Sequence, residues 1–255
     1  MLKATWVLAR REVVRFLRQP TRLFGSLAQP LIFWFFMGSG FSESFSLPGE
    51  SMKYGEFFYP GIVLMLLLFA AIFSTITLIE DRTAGFLQGV LVAPVSRLSI
   101  VAGKIMGGTA IALLQAIIFL AFAPLAGIAL SLNSLFLLIT LCVIIGLGFT
   151  GLGFMVAWFM DTVAGYHAVM SVFFIPLWLL SGALFPVEGA AEWLGWVMRF
   201  NPVTYAMEVL RMAFYARPSE LIYNIQFLRA LAVAGGWSLL TMTLSVLIVR
   251  WRSDV

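Results

Sequence analysis

The stretch EDRTAGFLQGVLVAPVSRLSIVAGK, Glu80 to Lys104, decides how the chain is laid out. It carries Glu80, Asp81, Arg82, Arg97 and Lys104, three glycines and a proline, and it sits between two long and almost uncharged apolar runs. An interruption of this kind marks the point where an apolar chain leaves lipid, turns in water and goes back.

The rest of the chain agrees. Of its 255 residues 62% are hydrophobic and 11% charged, and the mean hydropathy is +1.01. A soluble domain carries roughly 25% charged residues. A membrane-spanning helix needs about 20 mostly apolar residues. Six stretches qualify: about 23–41 (LFGSLAQPLIFWFFMGSGF), 57–79, 105–130, 134–160, 166–187 and 230–249. The turn formers of SLNS, 131–134, divide the third from the fourth. The first run is too long for a cleavable signal peptide, so none is expected. The lone Cys142 excludes an internal disulfide.

Six spans place both termini on one side, and basic residues select the side. Lys3, Arg10, Arg11, Arg15, Arg18, Arg22, Arg82, Arg97, Lys104, Arg250 and Arg252 share the terminal side, against Lys53, Arg199, Arg211, Arg217 and Arg229 on the other. Both termini and the 80–104 stretch are therefore expected in the cytoplasm. The net charge of +4 follows from this bias and calls for no nucleic-acid partner.

Several functions are excluded. The spans hold no Asp, Glu, Lys or Arg away from their ends, whereas ion-coupled carriers keep such groups at depth. His167, the only histidine, falls near the headgroup level by the turn that carries Asp161, which suits an interfacial residue better than a proton relay. No ring of charges suggests a channel. Lys104 follows a glycine, but a phosphate-binding loop reads G-x-x-x-x-G-K-[ST]. Here Leu98 stands at the first glycine and Ile105 at the hydroxyl. No metal-binding cluster and no G-x-S-x-G nucleophile turn is present.

Within the opening stretch, Glu80 and Asp81 suit the positive end of a helix. Phe86, Leu87, Val90 and Leu91 recur at helical spacing. Pro94 ends that helix, and a second begins near Ser96 or Ser99 and enters the third span. The expected product is a short semi-amphipathic knob over 80–97, held between two spans, with an apolar face that wants a partner groove or the membrane surface.

At these residues the chain resembles the permease subunits of type-2 ATP-binding-cassette (ABC) exporters. That pattern has an acidic-basic start, a glycine, an apolar pair, L-x-x-P-x-[ST]-R and a later G-K, and this chain has EDRTAGFLQGVLVAPVSR and then AGK. Phe86-Leu87 stands where relatives often carry Thr-Leu or Glu-Leu. Two further marks are NPVTYAMEVLR (Asn201 to Arg211) and SGALFP (181–186). The resemblance covers nearly the whole length. It implies a coupling helix built on Glu80, Asp81, Arg82, Gly85, Phe86, Leu87, Val90, Leu91, Pro94 and Arg97, which docks into a separate ATPase subunit. It also implies that ATP and magnesium are held by that partner, with no cofactor on this chain.

The segment 1–22 places Trp6, Ala9, Val13, Phe16 and Leu17 near helical spacing beside Arg10, Arg11, Arg15 and Arg18. This is a basic amphipathic helix for the cytoplasmic interface. A gate helix near the ATPase, which the resemblance implies, and a topology anchor fit it equally. The outer stretch 188–229 mixes Trp193, Trp196 and Tyr205 with charges, as interfacial anchors do. For it the resemblance implies two short re-entrant helices with the turn at Asn201-Pro202, followed by Tyr205 and Arg211.

Two small-residue stripes, Cys142/Gly146/Thr150 and Gly103/Gly107, permit close helix packing within or between subunits. The aromatics of spans one and five (Phe33, Trp34, Phe35, Phe36, Phe173, Phe174, Trp178) either face lipid or line a path. The expected architecture is all-α: a six-span polytopic permease half in a single domain, in a bacterial inner membrane. It pairs with a second copy or a paralogue and exports a drug-like, lipid or lipid-linked saccharide substrate by alternating access. The rival reading is a polytopic membrane enzyme or an assembly factor acting without an ATPase. Convergent polar residues at one membrane level would favour that rival, and the chain has none.

Overall fold

The computed structural model describes residues 2–40, 54–184 and 191–251. Phe41, Lys53, Phe185-Pro186, 187–190 and Arg252, all invoked above, lie outside them. Among the described residues there is no β-strand. Six helical stretches among these residues are long and apolar enough to cross a membrane: Pro20–Gly40, Tyr54–Thr83, Arg97–Leu120, Leu132–Phe159, Val163–Ala183 and Ile225–Trp251. The second span is the centre. It is the most apolar and the most buried of the six, because the others pack around it.

In chain order, α1 (Leu2–Leu17) precedes α2 (Pro20–Gly40), the first span. The break falls at Arg18-Gln19, and Pro20 opens α2 where its missing N–H costs nothing. The second span bends between α3 (Tyr54–Ser74) and α4 (Ile76–Thr83). At the bend the Tyr166 hydroxyl donates to the Ile72 carbonyl at 3.0 Å and lies 2.6 Å from the Thr75 hydroxyl. Pro60, inside α3, leaves the Glu56 carbonyl without its helical donor. The Tyr215 hydroxyl supplies one at 2.6 Å.

Helix α5 (Phe86–Val92) is the knob, and α6 (Arg97–Leu120) is the third span. Ser96 caps α6, its hydroxyl accepting from the Ser99 N–H, as the sequence suggested. The third span ends at Leu120, well short of residue 130. The missed signal is Ala123–Ala126, a single 3₁₀ turn with Pro124 inside it, closed by Gly127 at φ 81°. The break between spans three and four is real but lies over 121–131. Leu132, Asn133 and Ser134 already form the first turn of α7 (Leu132–Phe159), with Ser131 as its cap.

The fifth span is α8 (Val163–Trp178) followed by a π-helical turn, Leu179–Ala183, in which Gly182 takes φ 84°. Helices α9 (Glu192–Phe200), α10 (Pro202–Tyr215) and α11 (Pro218–Leu221) then lead to α12 (Ile225–Trp251), the sixth span. Helix α10 lies in the bundle against α12, α3 and α7. Both small-residue stripes work inside the chain. Gly103 and Gly107 receive α1: a Cβ at Gly107 would stand 2.8 Å from the Glu12 Cβ, and one at Gly103 would stand 2.7 Å from the Leu8 Cβ. Gly146 receives Thr109 of α6. Cys142 is buried.

Candidate functional site

One end of the bundle gathers the knob, α1 and the ends of four spans. The buried face of α1 is Leu8, Ala9, Glu12 and Phe16, and it lies on the glycines of α6. Leu2, Trp6 and Leu17 stay uncovered, as does Arg10, which leaves the helix a second apolar face. That arrangement fits an interfacial helix.

At the junction of α1, α4 and α6 three carboxylates meet three cations. Asp81, 2% exposed, accepts two parallel bonds from the Arg11 guanidinium at 2.8 and 2.7 Å. It also accepts from Arg15 at 3.2 Å and from the Lys104 ammonium at 2.5 Å. Lys104 donates to Glu12 at 2.8 Å, and Arg15 donates to Glu80 at 2.6 Å. Glu12 and Lys104 are 3% and 6% exposed. These bonds to Asp81 make the Arg11 guanidinium hold its proton more firmly than a free arginine does. Buried charges survive only when paired and hydrogen-bonded, and here the signs balance.

This site corrects four readings of the sequence. Glu80 and Asp81 lie in the last turns of α4, not at the start of the knob helix, which begins after Gly85 at φ 75°. They are therefore ion-pair partners of α1 rather than dipole-stabilising residues. Lys104 lies about two turns inside α6, so a span does carry an ionisable group; its two carboxylates are what make it tolerable. Leu87 is 4% exposed and belongs to the core, so it does not face a partner. Phe86 is partly covered, because the Arg11 guanidinium stacks on its ring at 3.8 Å. Val90 and Leu91 are half-buried, and Val92 is the open apolar residue of the knob. Glu12 and Lys104 went unrecognised, although a lone acid in a basic helix and a lone lysine opening an apolar run both demand a partner.

The knob's two arginines close neighbouring helices. Arg82 donates to the Trp158 and Met160 carbonyls at 2.7 and 3.1 Å, at the end of α7. Arg97 donates to the Arg250 carbonyl at 3.1 Å, at the end of α12. Each supplies donors and positive charge where a helix C-terminus lacks them. Pro94 ends α5 as expected, and Gly85 provides the left-handed start. Of the four N-terminal arginines named from sequence, Arg11 and Arg15 enter the ion cluster, while Arg10 and Arg18 are exposed.

The opposite end holds the second site. Asn201 caps α10, its side-chain oxygen accepting from the Val203 N–H, and its amide donates to the Leu177 carbonyl at 2.6 Å. Arg211 donates to the Gly182 carbonyl at 2.6 Å, and Thr204, unnoticed in the sequence, reaches the Leu180 carbonyl at 3.4 Å. The π-turn of span five frees carbonyls, and one face of α10 collects them. Pro202 opens α10, and the Tyr205 hydroxyl donates to the Arg199 carbonyl at 2.9 Å.

Between the α1–α2 turn and helices α2, α3, α6 and α8 lies a cleft of about 500 Å³. Phe69, Phe73 and Met65 line it beside Gln29 and His167. Gln115, 1% exposed, lines it too, and its Oε1 has no hydrogen-bond partner. His167 is exposed, its ring 5.4 Å from that of Phe73. Phe33, Trp34, Phe174 and Trp178 pack inward, while Phe35, Phe36 and Phe173 are exposed. Among the described residues no cluster of metal-ligating side chains exists.

The profile of the ABC-2 type transporter family matches residues 3–215, a span that includes both sites. The chain belongs to the ABC-2 type transporter family. It is 29% identical over 229 residues to a protein of Cyanophora paradoxa named transport permease ycf38, covering 89% of this chain and 79% of that one. It is 27% identical over 176 residues to the multidrug ABC transporter permease YbhR of Escherichia coli K12, covering 68% of this chain and 48% of that one. Nodulation protein J of Neorhizobium galegae is 26% identical over 209 residues, covering 78% and 76%. As a member of this family the chain is the membrane-spanning permease part of an ABC transporter, a class in which ATP is hydrolysed on an ATPase component.

Proposed function

We propose that this permease is one half of the membrane domain of an exporter. It pairs with a second copy or a paralogue, and a separate ATPase subunit docks at the knob. The observation that carries the reading is the ion cluster of Glu12, Asp81 and Lys104 with Arg11 and Arg15. It ties α1, the second span and the third span into one piece directly above the knob. A push on α5 therefore reaches three helices at once, which alternating access requires. The basic end, with both termini, faces the cytoplasm, α1 is the gate-side helix, and α9–α10 dip back from the outer surface.

The cleft beside α2 receives the substrate. Its aromatic and aliphatic walls with a few amide, hydroxyl and imidazole groups suit an amphiphile of drug or lipid size. The buried Gln115 Oε1 offers that ligand a hydrogen bond that the protein does not fill. The multidrug name of the Escherichia coli relative points the same way. Tagged permease is expected to retain an ABC ATPase through purification. The reconstituted complex is expected to hydrolyse ATP faster with an amphiphilic drug present, and Gln115→Leu is expected to lower that stimulation. Recovery of the permease without any ATPase, at normal membrane levels, would overturn the reading in favour of a protein acting alone.

A further inference from the structure

At the end opposite the ion cluster, the π-turn of span five, α10 and the first turn of α12 enclose a cleft of about 650 Å³. Arg199, Arg211 and Arg229 all line it. This is a concentration against expectation. The end of a bundle remote from its basic face is depleted in arginine, and only Lys53, Arg199, Arg211, Arg217 and Arg229 fall there in this chain. Three of the four that the structure describes converge on one cleft. Like charges spread apart unless something of opposite sign gathers them. Among the described residues that line the cleft, Glu208 is the one carboxylate beside the three arginines.

The cleft is also built for an oxyanion. Arg211 is pinned by its bond to the Gly182 carbonyl and by the Phe57 ring, 4.3 Å below its guanidinium. Arg199 stacks against Trp196 at 5.5 Å. Hydroxyls of Ser181 and Thr204 share the lining, and Met207 and Met212 supply an apolar wall. Planar guanidinium forks match phosphate oxygens two at a time. A thioether wall accepts a flexible chain. We infer that this cleft binds a phosphate group, carried by an anionic lipid headgroup or free in solution. This lies beyond the proposed export role, and it concerns the end of the permease remote from the ATPase.

The test uses the full chain purified in uncharged detergent, with dioctanoyl phosphatidylglycerol and inorganic phosphate as probes and binding read by titration calorimetry. Arg199→Gln/Arg229→Gln changes two exposed residues and leaves the pinned Arg211 in place. It is expected to weaken binding of the lipid at least tenfold, whereas Arg217→Gln, outside the cleft, leaves it unchanged. Competition by inorganic phosphate would show that the phosphate group suffices. Lipid binding without such competition would show that the headgroup needs its chain. Both outcomes uphold the site. Equal lipid affinity in the double variant and wild type, or no binding of either probe, would overturn it. Binding in detergent requires neither an ATPase nor a transport direction, so failure here leaves the proposed function standing.

Discussion

Replacing Lys104 by Met tests the ion cluster most directly. The side chains are close in length, so α6 keeps its packing against α1 and α3. What is lost is the ammonium that sits 2.8 Å from Glu12 and 2.5 Å from Asp81. The wild-type cluster is neutral: Arg11, Arg15 and Lys104 against Glu12, Glu80 and Asp81. The variant holds one uncompensated buried carboxylate, and Glu12 loses its closest cation while its other oxygen already lacks a partner. Breaking a buried pair in this way costs about 3–5 kcal/mol. For a chain of this size that lowers an apparent unfolding midpoint by roughly 6–20 °C. Tryptophan fluorescence of detergent-purified protein during a thermal ramp reads the shift. Lys104→Met/Glu12→Gln restores neutrality and is expected to recover half or more of the loss, an interaction of about 2 kcal/mol between adjacent sites. Coincident melting of Lys104→Met and wild type, or a double variant no better than the single one, would refute the argument that charge balance holds α1 to α6.

Four further outcomes follow from the same geometry. Val92→Asp, at the open tip of the knob, is expected to reduce ATPase co-purification about tenfold, since burying a side chain of this size is worth about 1.5 kcal/mol; equal recovery would remove α5 as the docking element. Gly107→Val is expected to insert normally but to expose α1 to limited proteolysis, because its Cβ would meet Glu12 and the Ala9 carbonyl. Asn201→Ala removes a helix cap and strands the Leu177 carbonyl, so the melting midpoint should fall by roughly 4–8 °C for about 2 kcal/mol. Purified permease freed of partners is expected to show no ATP turnover; activity that survives removal of every other chain would contradict the family's division of labour.

The layout of spans was legible because length and apolarity are local properties. Span ends were less so. Phe122 to Leu130 is as apolar as a span, which carries the third span on to residue 130 in the sequence, and only Pro124 with Gly127 marks the turn. The cluster was harder still. By its neighbours in sequence Asp81 looks like a helix-start residue, but its partners Arg11 and Arg15 lie some seventy positions away. No local rule pairs residues at that distance. Leu87 failed for a related reason: helical spacing groups it with Phe86 and Val90, but the spacing alone cannot say which face the bundle takes. Asn201 and Arg211 were legible as a motif, and the structure supplies the cause, which is the carbonyls freed by the irregular end of span five.

The placement of the charges also suits the coupling role proposed for the knob, in which a short helix moves a large body. Helix α5 has seven residues, too few to hold its shape alone. Its rigidity is borrowed. Arg82 on one side closes α7 and Arg97 on the other closes α12, while Asp81 just before it grips α1 and α6. Each grip is a charged donor on backbone carbonyls or a paired carboxylate, and such bonds are about twice as strong as neutral ones. A displacement of α5 therefore cannot be absorbed by its own loop. It must be passed to the ends of α4, α6, α7 and α12 together. The spans left out of this set are those of α2 and α8, which flank the cleft and are the least buried of the six. The moving part meets the cleft directly, since Ile111 and Gln115 of α6 and Ile76 and Glu80 of α4 line it beside the α3 residues.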